Sequence, residues 1–178
     1  MNPKTKCRVW VAGLGNELMS DDGIGPAAAR MLSEAPPAGT VISEVGTAIM
    51  FYTNLIADAE SILCIDAVTS GKKPGTVTAF TLDEIEASGR LWRSAHELTL
   101  LDAVDIFRHG KRPMIKIIGI EPERIEYGLS LSASVENAIP EVLALARKTI
   151  SELISPTYRM KRKKVWKGKG CGEGKNLS

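Results

Sequence analysis

Short apolar segments alternate with helical patterns along the first part of the chain. Residues 8–12, 40–45 and 61–68 are apolar and rich in β-branched side chains, and they have the length of buried strands. Between them, residues 25–35 and 49–59 have the spacing of helices. This β-α-β-α-β order predicts a parallel sheet that is covered by helices on both faces.

The pattern changes after the third predicted strand. Residues 69–75 (TSGKKPG) form a strong turn signal, and residues 76–81 predict an antiparallel strand at an edge of the sheet. Residues 97–109 predict a helix that ends at a glycine, and residues 114–120 predict another buried strand.

The last apolar pattern before the C-terminal segment is that of a closing helix over residues 135–153. Pro140 falls within it and predicts either a kink or a boundary in the first helical turn. Taken together, the elements predict a three-layer α/β/α fold with a twisted, mostly parallel sheet of about five strands.

Residues 11–26 (VAGLGNELMSDDGIGP) begin like a nucleotide-binding glycine turn. A Rossmann fingerprint requires a third glycine where this chain has Leu18. Phosphate is bound by backbone N–H groups at a helix N-terminus, and Asp21 and Asp22 would repel it there. The two acids therefore favour a cation, and a nucleotide-binding domain is the weaker alternative.

Three polar side chains are candidates for one site. Ligands of open parallel sheets gather at the carboxyl ends of the strands, where Asp22 and Asp66 are expected. His96 precedes a predicted helix, after a connection long enough to return to the same edge. Two carboxylates and one imidazole would form an open site for a divalent transition metal, with positions left for water or substrate.

Each of these residues also has a purely structural interpretation. Asp21 or Asp22 could cap the following helix, and Asp66 could form a buried turn. His96 could bond to the backbone at the start of its helix. Cys64, inside the third predicted strand, is expected to pack as a small apolar side chain.

The composition is that of one compact domain. The chain has 178 residues, of which 44% are hydrophobic. It contains no apolar run of about eighteen residues and no signal-peptide core, so we expect a cytoplasmic protein without membrane contact. Three scattered cysteines without a CxxC pair indicate reduced thiols rather than disulfides.

Charge separates the end of the chain from the rest. Residues 156–178 carry eight basic side chains and one acidic one, against a net charge of +2 for the whole chain. The segment is also rich in glycine, so we expect a flexible tail outside a single domain of residues 1–155. The alternative is an arm that contacts an acidic partner or nucleic acid, and of these two we do not expect nucleic acid.

Four motifs, in order along the chain, resemble those of the hydrogenase maturation proteases. They are GLGNELMSDDGIGP, IDAV at residues 65–68, SAHELTLLDAV at residues 94–104 and GIEPERIEYGLSLSASV at residues 119–135. The resemblance implies an endopeptidase that removes a C-terminal extension from the large-subunit precursor of a nickel-iron hydrogenase. It also implies that cleavage follows nickel insertion, so that the substrate carries the nickel that is recognised.

The resemblance also implies roles for individual residues. Asp22, six residues after the asparagine of GxGN, would contact the metal, as would Asp66 and His96. Asp22 and Asp66 are the catalytic candidates, with either the metal or a carboxylate activating the nucleophile. Asp21 is expected to support Asp22 or to cap the helix.

Two further loops are candidates for the groove that receives the substrate. These are Gly46-Thr47-Ala48 and Glu121-Pro122. The alternative function is a non-catalytic nickel-binding checkpoint protein that docks on the precursor without cutting it. A monomer is expected in either case.

Overall fold

The computed structural model describes residues 7–81, 84, 97–107 and 112–155. Five strands occur in this part of the chain: β1 (Val9–Leu14), β2 (Thr40–Gly46), β3 (Ser61–Ala67), β4 (Val77–Thr81) and β5 (Met114–Ile120). The α-helices described are α1 (Ile24–Ser33), α2 (Thr53–Asp58), α3 (Glu97–Phe107) and α4 (Ala133–Ile154). Two 3-10 turns, Ser20–Gly23 and Ile49–Tyr52, precede α1 and α2.

The strands form one sheet in the order β2-β1-β3-β5-β4. Strands β2, β1, β3 and β5 are parallel to one another, and β4 pairs with β5 in the antiparallel direction at the edge of the sheet. The predicted mostly parallel sheet with one antiparallel edge strand is therefore confirmed. Because β1, β3 and β5 are parallel neighbours, their carboxyl ends share one edge of the sheet.

Two apolar layers cover the two faces of the sheet, as the predicted three-layer fold requires. On one face, Ile62 and Cys64 belong to a core that α2 and α3 complete. On the other, Leu63 and Ile65 pack with side chains of α1 and α4. All seven residues of β3 are buried, because a central parallel strand is covered on both faces. The prediction that Cys64 packs in the core is confirmed.

The closing helix begins earlier than its apolar pattern predicts. Ser132 is the N-cap of α4, and its hydroxyl accepts a 3.4 Å hydrogen bond from the Val135 N–H group. Pro140 consequently lies inside the helix, so the predicted boundary in the first turn is wrong. The predicted helix at residues 49–59 is divided into the Ile49–Tyr52 turn and α2.

Some predictions fall outside the described residues. They concern His96 and the basic tail at residues 156–178, and they stay predictions. Among the helices that the structure describes, none combines the length and the apolar character that crossing a membrane requires.

Candidate active site at the carboxyl edge of the sheet

The glycine turn after β1 depends on a close backbone approach. Gly15 has φ of +126°, and its N–H group donates to the Gly46 carbonyl at 3.3 Å. A Cβ atom on Gly15 would lie 1.8 Å from the backbone oxygen of Asp22. Only glycine fits such a position, so the chain can fold back and bring Asp22 over the end of β1.

Asp22 is held in a fixed direction. Its Oδ2 atom accepts a 2.8 Å hydrogen bond from the Asn16 N–H group, and the side chain is 8% exposed. The side chain of Asn16 in turn accepts a 3.0 Å bond from the Leu18 N–H group. Asn16 therefore stabilises the turn and fixes the orientation of the Asp22 side chain.

Neither acid caps α1. The N-cap of that helix is Gly23, which has no side chain that could accept a hydrogen bond. The expectation that Asp21 or Asp22 caps the helix is thus wrong. The reason is that both carboxylates bond to backbone groups elsewhere in the structure.

Asp21 is completely buried, and its carboxylate contacts the segment that follows β5. It accepts hydrogen bonds from the N–H groups of Glu123 (2.8 Å), Arg124 (3.0 Å) and Ser132 (2.6 Å). A fourth bond comes from the Ser132 hydroxyl at 2.9 Å. Asp21 therefore joins the turn that contains Asp22 to a loop that is distant in sequence.

These contacts determine the charge of Asp21. Burial alone would raise the pKa of the carboxyl group. The hydrogen bonds from Ser132, Arg124 and Glu123 outweigh burial and leave the pKa below its ordinary value. Asp21 is consequently an anion that four donors stabilise.

Asp66 lies at the carboxyl end of β3 and is 1% exposed. It lines a narrow, mainly apolar cavity together with six other residues: Leu14, Cys64, Val68, Phe80, Leu100 and Ile117. Leu100 lies in the first turn of α3, the helix that directly follows His96 in the sequence. The structure thus brings the beginning of α3 to the cavity that contains Asp66.

Asp22 and Asp66 occupy neighbouring positions in the fold. β1 pairs directly with β3, and the Ser20–Gly23 turn contacts β3. Gly25 packs against both strand ends, since a Cβ atom there would lie 2.0 Å from the Leu14 oxygen and 2.3 Å from the Ile65 oxygen. The prediction that Asp22 and Asp66 share the carboxyl edge is confirmed for the described residues.

The carboxylate of Glu121 bonds to the loop that follows β3. Its carboxylate, which is 5% exposed, accepts bonds from the Ser70 N–H group (2.9 Å), the Ser70 hydroxyl (2.6 Å) and the Gly71 N–H group (3.0 Å). Glu121 therefore joins the loop after β3 to the end of β5, and the role of the Glu121-Pro122 loop in a substrate groove stays a prediction. An acid directly after a buried strand was the signal for such an anchor.

A groove runs beside the glycine turn. It has a volume of about 370 Å³, and its walls include residues 15–18 and residues 44–48. The predicted groove segment Gly46-Thr47-Ala48 forms part of one wall. At its margin, Arg30 bridges Glu17 at 2.7 Å and Glu44 at 2.9 Å, which links the two walls.

Comparison with known proteins identifies the family to which this chain belongs. The family model described as hydrogenase maturation protease matches residues 28–149. The chain belongs to the hydrogenase maturation protease family. It is therefore a peptide hydrolase that acts in hydrogenase maturation, as the sequence motifs implied.

Two relatives match a larger part of this chain than the family model does. The hydrogenase 2 maturation protease of Escherichia coli K12 is 31% identical over 156 residues, which cover 83% of this chain and 95% of the relative. The hydrogenase expression/formation protein HupD of Rhodobacter capsulatus is 31% identical over 145 residues, or 78% of this chain and 69% of HupD.

Solved structures show the same fold as this protease. The hydrogenase maturating endopeptidase HybD from E. coli has a TM-score of 0.72 and 29% identity, over 82% of this chain and 93% of HybD. The [NiFe] hydrogenase maturation protease HybD from Thermococcus kodakarensis has a TM-score of 0.67 and 34% identity, over 80% and 98% of the two chains.

The chemistry available to the protease at this edge is that of carboxylates in a sheltered position. A carboxylate can bind a metal ion, or it can take a proton from an attacking water. Asp22 and Asp66 are both at least nine-tenths buried, so their surroundings exclude most of the solvent. Asp21 and Glu121, whose carboxylates bond to several backbone N–H groups, instead hold the surrounding loops.

Proposed function

We propose that this protease removes the C-terminal extension of a hydrogenase large-subunit precursor after nickel insertion. Asp22, Asp66 and His96 recognise the nickel that the precursor carries. The observation that supports this most directly is that the turn containing Asp22 contacts β3, the strand that carries Asp66 near its carboxyl end. His96 completes the set through the resemblance, and the position of Leu100 beside Asp66 brings its helix to the same edge.

The ligand types agree with this role for the precursor's metal. Imidazole binds nickel well, and carboxylates complete sites for divalent ions. Three protein ligands leave coordination positions for groups that the precursor itself supplies. Nickel is accordingly part of the substrate, and its presence reports that the precursor is mature enough to be cut.

Cleavage requires that water attack the scissile carbonyl carbon and that the departing amine gain a proton. Asp22 or Asp66 accepts the proton of that water and later supplies it to the amine. The bound nickel positions the scissile bond next to these carboxylates. The groove beside Gly46 receives the extended chain that follows the cut.

The test is cleavage of purified precursor, followed by mass spectrometry of its C-terminus. Wild-type protease is expected to shorten the nickel-loaded precursor and to leave the nickel-free form intact. Asp22→Asn, Asp66→Asn and His96→Gln variants should each lose at least about 100-fold in kcat/KM, as when a group that acts in the transition state is removed.

A matched control separates the site from general damage. Asp58→Asn changes an exposed acid at the end of α2 and should retain wild-type activity. Full activity in any of the three site variants would refute the assignment of that residue. Equal cleavage of nickel-free precursor would refute the proposed role of nickel.

A further inference from the structure

Exposed apolar side chains stand beside the candidate site on two different loops. Leu18 is 53% exposed, Tyr127 is 81% exposed and Leu129 is 78% exposed. Large apolar side chains that are exposed together often mark a binding surface for another protein. We call these three side chains the apolar loop surface.

Backbone hydrogen bonds bring the members of this surface together. Met19 and Gly128 form an isolated parallel bridge. The Ser20 N–H group donates to the Gly128 carbonyl at 2.8 Å, and the Gly128 N–H group donates to the Leu18 carbonyl at 3.0 Å. Because Tyr127 and Leu129 flank Gly128, Leu18 lies alongside them.

Buried polar groups fix the position of this loop. The hydroxyl of Ser20 donates to the Glu126 carbonyl at 3.0 Å, and Asp21 accepts four hydrogen bonds from residues 123–132. A Cβ atom on Gly128 would lie 2.6 Å from the Ser20 hydroxyl, so the two loops are in close contact. A surface that is fixed before binding loses less conformational entropy when a partner docks.

The apolar loop surface is continuous with the groove and with the candidate site. Leu18 is a member of the surface and also lines the groove. Asn16 lines the same groove, and its N–H group holds Asp22. A substrate that extends along the groove toward Asp22 therefore passes directly beside Leu18.

We propose that the apolar loop surface is where the folded body of the large-subunit precursor docks while its C-terminal extension lies in the groove. This inference rests on the proposed function, because it assigns a second contact to the same substrate. Tyrosine is enriched among the few residues that supply most of the binding energy of an interface, and the neighbouring leucines would add apolar area that is buried on docking. The partner surface is accordingly an apolar patch next to the C-terminal extension of the precursor.

The experiment compares two variants in steady-state cleavage of the nickel-loaded precursor. Tyr127→Ser combined with Leu129→Ser removes two members of the surface. Ile106→Ser changes another exposed apolar residue, 59% exposed, in the last turn of α3. The double variant should raise KM at least about tenfold at unchanged kcat, since it removes binding that ground and transition states share, and the control should stay within about twofold.

A second variant guards against a local change in the loop. Leu18→Ser alters the facing loop and should raise KM in the same direction. Sedimentation of the wild-type protease alone is expected to show a monomer. A dimer that the double variant dissociates would overturn the inference, because the occupant would then be a second copy of this chain.

The inference and the proposed function fail in different ways. If the wild-type protease cleaves the precursor and the KM of the double variant is unchanged, the docking surface is overturned and the proposed function is left intact. Wild-type protease that never shortens the nickel-loaded precursor would overturn the proposed function, and the docking surface with it.

Discussion

Asp21 and Ser132 are 111 positions apart in sequence, yet two hydrogen bonds join them directly. The N–H group and the hydroxyl of Ser132 donate to the Asp21 carboxylate at 2.6 Å and 2.9 Å. The same hydroxyl accepts the bond that caps α4. This contact connects the turn that aims Asp22 with the start of the longest described helix.

Replacement of Asp21 by asparagine should destabilise the protease strongly. The amide retains one acceptor oxygen, and its NH₂ group would face backbone donors that the carboxylate now satisfies. We expect a loss of about 2–4 kcal/mol in the free energy of unfolding, because a buried carboxylate with four hydrogen bonds, two of them from buried Ser132, is replaced by an amide. Urea unfolding measures this loss, and the exposed Asp58→Asn change should stay within about 0.5 kcal/mol. Equal midpoints for the two variants would contradict the anchoring role of Asp21.

Replacement of Ser132 by alanine should cost about 1–2 kcal/mol, because it removes both the helix cap and one bond to Asp21. The two positions should also be coupled. Combining Ser132→Ala with Asp21→Asn in a double-mutant cycle should give an interaction energy of at least about 0.5 kcal/mol. Strict additivity of the two changes would show that the contact contributes nothing of its own.

The fold could be predicted because its signals are local. Apolar segments of strand length that alternate with helical patterns specified a parallel sheet, and a turn signal before residue 76 specified the antiparallel edge strand. Parallel neighbours end at the same edge, so the topology placed the loop after β1 beside Asp66, and the contacts of Gly15 and Asn16 then place Asp22 within that loop.

The partners of Asp21 and Glu121 could not be predicted, because they lie on loops whose positions only the tertiary structure determines. The sequence near Asp21 suggested that it caps the next helix, but its carboxylate instead bonds to Ser132, which is far away in the sequence. Likewise, Pro140 predicted either a kink or a helix boundary, and the Ser132 cap, which places the start of α4 before it, excludes the boundary. The placement of His96 beside the two acids stays a prediction.

Glu121 should hold the loop that follows β3. Glu121→Gln leaves fewer acceptors for Ser70 and Gly71, and we expect a loss of about 1–2 kcal/mol because bonds to a charged acceptor are replaced by bonds to a neutral amide. Hydrogen exchange should become faster at the amides of Ser70 and Gly71 in particular. Glu152→Gln is the matched control, since that carboxylate is 44% exposed and pairs with the Lys116 ammonium group, and the change should cost less than about 1 kcal/mol. Unchanged exchange at both amides in Glu121→Gln would contradict the anchor.

Gly15 should tolerate no side chain, for two separable reasons. Gly15→Ala introduces strain at φ of +126° and also a Cβ atom 1.8 Å from the Asp22 oxygen. Gly71→Ala isolates the first effect, because Gly71 has φ of +77° and no atom within 4 Å of the position of its Cβ. We expect about 1–2 kcal/mol of destabilisation for Gly71→Ala, and a larger loss for Gly15→Ala together with a fall in kcat as Asp22 is displaced. The comparison combines urea unfolding with precursor cleavage. If the two alanine variants lost the same stability and both kept full activity, the close approach of Gly15 to Asp22 would have no part in placing the carboxylate.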